Sequence, residues 1–176
     1  LGSIGAIRGV TSFDEFGRRV FKLVSVKGPL DIYQGITEIT PTYTKVEGLT
    51  SRNPIVWETR IATSSIPRDT LSKILKKPLD MEKPSDRLRI VRLYMQAGRY
   101  QDALVELEAA IEKFPDLARL KDQVRELYQH LAERLIREIE MRQTAGQHLQ
   151  AINWLSNFPR KGVATETLLQ VRDLLQ

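Results

Sequence analysis

The sequence predicts an α+β chain, with a small antiparallel β barrel or roll and a short helix over residues 1–80 and an α-helical hairpin array over 81–176. Three observations point there. Seven of the ten glycines, five of the eight prolines and nine of the twelve threonines precede residue 80, so turn formers and β-branched residues gather in one half. Apolar residues alternate in that half and recur every three or four positions in the other. The stretch "AGRYQDALVELEAAIEKFP" (97–115) has a near-echo in "AGQHLQAINWLSNFP" (145–159), as two related hairpins would.

The first strand is expected over 18–27, with Val20, Lys22, Val24 and Val26 on one face and Phe21 and Leu23 on the other. A second runs over 30–40, with Gly35 as its bend or bulge, and a third over 42–49. A fourth covers 55–63, where Ile55, Trp57, Thr59 and Ile61 oppose Val56, Glu58, Arg60 and Ala62. Trp57 is expected to fill the core. Strands with turns at this spacing close into a small barrel or roll. Residues 2–9, "GSIGAIRG", read as a flexible arm, because no strand precedes them and no helix clearly follows.

Residues 64–78 read as a short helix with Pro67 in its first turn and Pro78 as its stop. After a polar linker, a helix begins with Ser85 as N-cap and ends at Gly98; another runs from about Tyr100 to Phe114. Leu117, Leu120, Val124, Leu127, Leu131, Leu135 and Ile139 draw an apolar stripe along a helix of nearly thirty residues. A turn at Gly146, a helix ending at Pro159 and a last helix from about Ala164 complete the order.

Tyr94, Gly98, Tyr100, Ala103, Leu107, Ala110 and Pro115 have the spacing of a helix–turn–helix signature, and residues 84–115 resemble a tetratricopeptide repeat. Arg87 and Val91 depart from that family's pattern, as in a first repeat with no neighbour before it. Ala145, Gly146 and Ala151 echo Ala97, Gly98 and Ala103, but one helical turn is missing, so the second copy is degenerate. The resemblance implies a peptide groove on the first helix, carried here by Ser85, Leu88, Arg92, Met95 and Gln96. Leu88 and Arg92 stand where carboxylate-clamping members use Lys and Asn, which suits an amphipathic or extended peptide of acidic character better. Two hairpins make a short stack, so the expectation is an array continued by a longer chain or completed by a homodimer.

The chain has no cysteine, which excludes disulfides and thiolate chemistry, and only two histidines, His130 and His148, read as structural or surface residues. No nucleophile elbow, S-x-x-K or phosphate-loop motif is present; Glu106, Glu108 and Glu112 read as solvent-facing charge. No cofactor or metal is expected. The net charge is +5, with 12 Lys/Arg against 8 Asp/Glu over residues 1–80. No apolar run reaches the roughly 20 residues of a membrane span, and the composition fits a soluble cytoplasmic chain and a processed extracytoplasmic one equally. On the β half, Arg18, Lys22, Tyr33, Tyr43 and Lys45 form the candidate surface, but Glu38, Glu47 and Glu58 interleave with them and disfavour nucleic acid. The leading expectation is a non-catalytic protein–protein interaction or scaffolding module, the N-terminal part of a larger protein. The alternatives are an accessory region of an enzyme whose catalytic domain lies beyond Gln176, and a nucleic-acid-binding barrel with a helical dimerisation arm.

Overall fold

The computed structural model describes residues 6–25, 28–49 and 58–175. It is an α+β chain with a five-stranded antiparallel sheet and six helices among those residues. By internal contacts the chain divides into two compact units, residues 1–102 and 103–176. The change in composition near residue 80 falls inside the first unit, and the division falls inside a helix.

The first unit holds the sheet. Its strands are β1 (Ile7–Val10), β2 (Arg18–Ser25), β3 (Gly28–Ile39), β4 (Tyr43–Gly48) and β5 (Glu58–Ala62). They pair in sequence order, β1 through β5, and curl into a half-barrel. Each strand hydrogen-bonds to its predecessor, so the topology is a meander whose register follows from alternation. Phe21, opposite Ile32, and Leu23, opposite Leu30, fill the inner face, while Lys22, opposite Asp31, lies outside. Val46 is fully buried on the same inner face. Thr44 and Thr63, also fully buried, share a hydroxyl–hydroxyl bond of 2.9 Å, and Thr63 Oγ1 donates to the Thr40 carbonyl at 2.7 Å. Buried hydroxyls thereby satisfy one another where the chain leaves β5.

Three expectations in this unit are corrected. Residues 7–10 are not an arm but the edge strand β1; their pairing to β2 is irregular around Gly9, which hid the alternation. The bulge in β3 lies between Ile36 and Glu38 rather than at Gly35. Gly35 instead permits close approach: a Cβ there would come within 2.9 Å of the Leu49 side chain. Ser85 does not cap its helix, because Pro84 occupies the first helical position and Lys83 the cap. Val26, Lys27, Ile55, Val56 and Trp57 lie outside the described residues.

Helix α1 (Arg68–Lys76) buries Leu71, carries Asp69 in its first turn and Lys73 and Lys76 in its last, and stops before Pro78. Helix α2 (Pro84–Gln96) buries Ile90, Val91 and Tyr94, and ends at Gly98 with φ of 69°. Helix α3 (Tyr100–Lys113) continues from the first unit into the second.

In the second unit, Pro115–Leu120 is a 3-10 turn, so the long helix α4 is Lys121–Thr144, 24 residues, shorter than the stripe suggested. Pro115 and the loss of intrahelical bonds before Lys121 account for the difference. Helix α5 (His148–Ser156) follows Gly146, at φ 75°, and α6 (Thr165–Asp173) closes the described chain. Ala132, Ile136 and Ile139 of α4, Ala151 and Leu155 of α5, Phe158 and Val171 form this unit's core. Its deepest α4 positions thus lie one step around the helix from much of the expected leucine stripe.

Candidate apolar groove and its surroundings

A groove of about 340 Å³ opens in the first unit. Ile36, Thr37, Glu38 and Ile39 of β3 form one side; Ile74 and Leu75 of α1 with Pro78 and Leu79 form the second; Arg89, Ile90 and Leu93 of α2 form the third. Eight of these eleven residues are apolar. Only Ile90 is deeply buried; Ile36, Ile39, Ile74, Leu75, Leu79 and Leu93 are half-buried and Pro78 is exposed. The apolar lining is therefore reachable from solvent.

The β side of the groove is the edge of a strand. The pairing of β2 with β3 ends at Arg18 and Gly35, and the Ile36 N–H donates to the Gly17 carbonyl at 2.9 Å. From there to Ile39, β3 pairs only with β4 among the described strands. Ile36 and Ile39 sit opposite the buried Val46 and Thr44, whereas Glu38 sits opposite Lys45 on the outer face. A single groove lined by residues of both faces runs along the edge of the strand, not over one face of the sheet.

The polar groups at its mouth are Arg89, whose side chain is 66% exposed and 3.6 Å from Asp86, and Glu38, which accepts a bond of 3.3 Å from the Tyr43 hydroxyl. Elsewhere in the first unit, Arg99 ties the turn after β5 to the turn after α2. Its side chain is 9% exposed; Nη1 donates to the carbonyls of Ile66 (2.6 Å) and Thr63 (3.0 Å), and Nε donates to Asp102 at 2.6 Å. Asp102 also receives Arg68 at 3.3 Å.

The five positions implied by the repeat resemblance all lie on α2, with Leu88 and Met95 half-buried and Ser85, Arg92 and Gln96 exposed. None of them lines the groove, which takes the adjacent residues Arg89, Ile90 and Leu93. The five candidate positions of the β half come together on the outer face of the sheet. Arg18 and Lys22 stand on β2, Tyr33 on β3, and Tyr43 and Lys45 on β4, all registered to outward-facing neighbours. Lys45 is engaged there, 2.8 Å from Glu47 and 3.5 Å from Glu58. The hydrogen bond to Glu47 holds its ammonium above the usual lysine range, and the bond from Lys45 holds Glu47 below the usual carboxylate range. Arg60 lies over the Tyr43 ring at 4.9 Å, 3.1 Å from Glu58. On this face Arg18, Lys22, Lys45 and Arg60 are matched by Asp31, Glu38, Glu47 and Glu58.

In the second unit the expectation of solvent-facing carboxylates is corrected at two of three positions. Glu106 is buried, at 5% exposure, and Glu108 is half-buried. Glu108 Oε1 accepts from both the Tyr128 hydroxyl (2.9 Å) and Lys161 Nζ (2.8 Å), with the ammonium over the Tyr128 ring at 5.2 Å. Burial alone would raise Glu108, but the bonds from Lys161 and Tyr128 outweigh it and hold the carboxyl below its ordinary range. His130 lines a shallow open recess with Arg125, Gln129 and Glu133; among the described residues no group of three or more His, Asp or Glu could hold a metal. Among the same residues no helix is long and apolar enough to cross a membrane.

Comparison with protein families, curated proteins and solved structures finds no match to this chain.

Proposed function

We propose that this chain is a non-catalytic protein–protein interaction module whose first unit captures a segment of a partner protein. The observation that carries this reading is the groove along the β3 edge, with eight apolar lining residues, most of them half-buried, and only Arg89 and Glu38 charged at its mouth. Recognition sites for peptides combine apolar walls with a few orienting polar groups, and a strand edge adds backbone donors and acceptors. The outer face of the sheet fits nucleic acid poorly, since its four cations face four anions and Lys45 is spent on Glu47 and Glu58. The helical part reads as a degenerate tetratricopeptide-like array. Gly98 and Gly146 at positive φ, with fully buried Tyr94, Ala103, Ala110 and Ala151, support that reading.

A displayed random-peptide library selected on the full chain tests the function. Counter-selection uses Thr37→Trp, an exposed position that lines the groove, where an indole would obstruct it. Peptides that bind the native chain and lose at least tenfold affinity for the variant are expected. If every selected peptide binds both equally, the groove is not the partner site.

A further inference from the structure

We infer that the groove takes its partner as an added β-strand, an extended acidic segment pairing with the free edge of β3 over Thr37–Ile39. The inference rests on the groove being a partner site, and goes on to say in what conformation and with what charge the partner binds.

Three observations converge on it. The first is the unpaired edge. β2 stops at Arg18 opposite Gly35 and the Ile36 N–H is taken by the Gly17 carbonyl, so β3 runs on from Thr37 to Ile39 with β4 on one side and, among the described residues, no strand on the other. Three residues of strand span roughly 10 Å, enough to pair with a short extended segment. The second is the bulge between Ile36 and Glu38. It bends the strand where β2 has ended, and bulges mark places where pairing is re-aimed or stopped. The third is that the groove receives residues from both faces of β3: Ile36 and Ile39 from the inner one, Glu38 from the outer. A helix laid over one face would meet Ile36 and Ile39 but not Glu38. A strand laid against the edge meets all of them, and directs alternate side chains toward the apolar residues of α1 and α2.

Charge selects the acidic character of the occupant. The segment 66–97, which supplies both helical walls, holds eight Lys/Arg against four Asp/Glu in a chain whose net charge is +5. Most of the positive excess therefore lies on the two helices that flank the groove, while the sheet's outer face is balanced. Arg89 is the cation of the lining itself, and its only described carboxylate partner stands 3.6 Å away, longer than a hydrogen bond. A carboxylate on the incoming strand would meet Arg89 with a closer, charge-assisted contact.

Groove-dependent peptides from the display are resynthesised in three forms: unmodified, N-methylated at one set of alternate amides, and N-methylated at the other. Binding is measured to the native full chain and to Arg89→Glu, whose mostly exposed side chain leaves the fold intact, as matching thermal melts will verify. Alternating apolar residues with interspersed Asp or Glu are expected. One methylated set should lose at least tenfold affinity while the other keeps it, and Arg89→Glu should lose at least fivefold. Groove-dependent peptides whose apolar residues recur every three or four positions, or that tolerate both methylated sets, overturn strand addition while the partner site stands. Equal binding to Arg89→Glu overturns the acidic requirement. A fluorescent fatty acid taken up by the native chain and blocked by Thr37→Trp, with no groove-dependent peptide, overturns both the inference and the reading beneath it.

Discussion

Arg99 shows how one side chain can hold several turns. Its guanidinium is 9% exposed and divides its donors between the Asp102 carboxylate and the carbonyls of Thr63 and Ile66, each otherwise left without that donor. Removing Arg99 strips the Thr63 and Ile66 carbonyls of that donor and leaves Asp102 with only the longer Arg68 contact, at a cost of about 3 kcal/mol. Arg99→Met should lower the stability of the chain by that amount in urea denaturation, and Arg99→Lys should recover only part of it, because an ammonium cannot reproduce the planar fork. Glu108 makes a different case. Burial works to raise its folded-state pKa, but the bonds from Lys161 and Tyr128 together hold it below the ordinary 4.5. Its contribution is therefore complete above that value and is lost as pH falls through the folded pKa. Exposure of the pair to solvent screens it, so the contribution is small. The melting temperatures of the native chain and Glu108→Gln should differ at pH 7, and the difference should disappear on acidification below 4.5, as pH falls through the folded-state pKa.

At the scale of elements, three glycines end or begin helical segments with similar backbone and different surroundings. Gly98 and Gly146 have φ of 69° and 75° with open space where a Cβ would stand. Gly162 has φ of 69°, but its Cβ would come within 2.6 Å of the Tyr128 ring. Gly98→Ala and Gly146→Ala should each cost about 1 kcal/mol of conformational strain, and Gly162→Ala clearly more, measured by chemical denaturation. The difference isolates the steric part. Gly98 and Gly146 were legible in the sequence because each interrupts a helical period. Gly162 was not, because nothing near it in the chain announces Tyr128, 34 positions earlier. The same reason separates the legible from the illegible elsewhere. β2 and β4 alternate cleanly, whereas β1 is four residues long with an irregular pairing around Gly9. Glu106 sits in a run of carboxylates that looks solvent-facing until the helix is packed. The co-facial placement of Arg18, Lys22, Tyr33, Tyr43 and Lys45 followed from alternation. The groove did not, because its lining comes from three segments spread over residues 36–93 and depends on where β2 stops.

For the molecule as a whole, positive charge and accessible apolar surface coincide in one region of the first unit. The helices of 66–97 carry most of the net positive charge, and the same helices wall the groove. Binding of an acidic partner segment should therefore weaken with salt, though by less than for nucleic acid, since few charges are engaged. A rise from 50 to 500 mM NaCl should raise its Kd by about threefold to tenfold, measured by fluorescence anisotropy. The most direct test of the account is a ¹H–¹⁵N NMR titration of the full chain with a groove-selected peptide. The account predicts amide shifts concentrated at Ile36–Ile39, Ile74–Leu79 and Arg89–Leu93, with new hydrogen-exchange protection at the β3 edge. Shifts centred instead on Leu88, Arg92, Met95 and Gln96, or on Arg18, Lys22 and Tyr33, would contradict it.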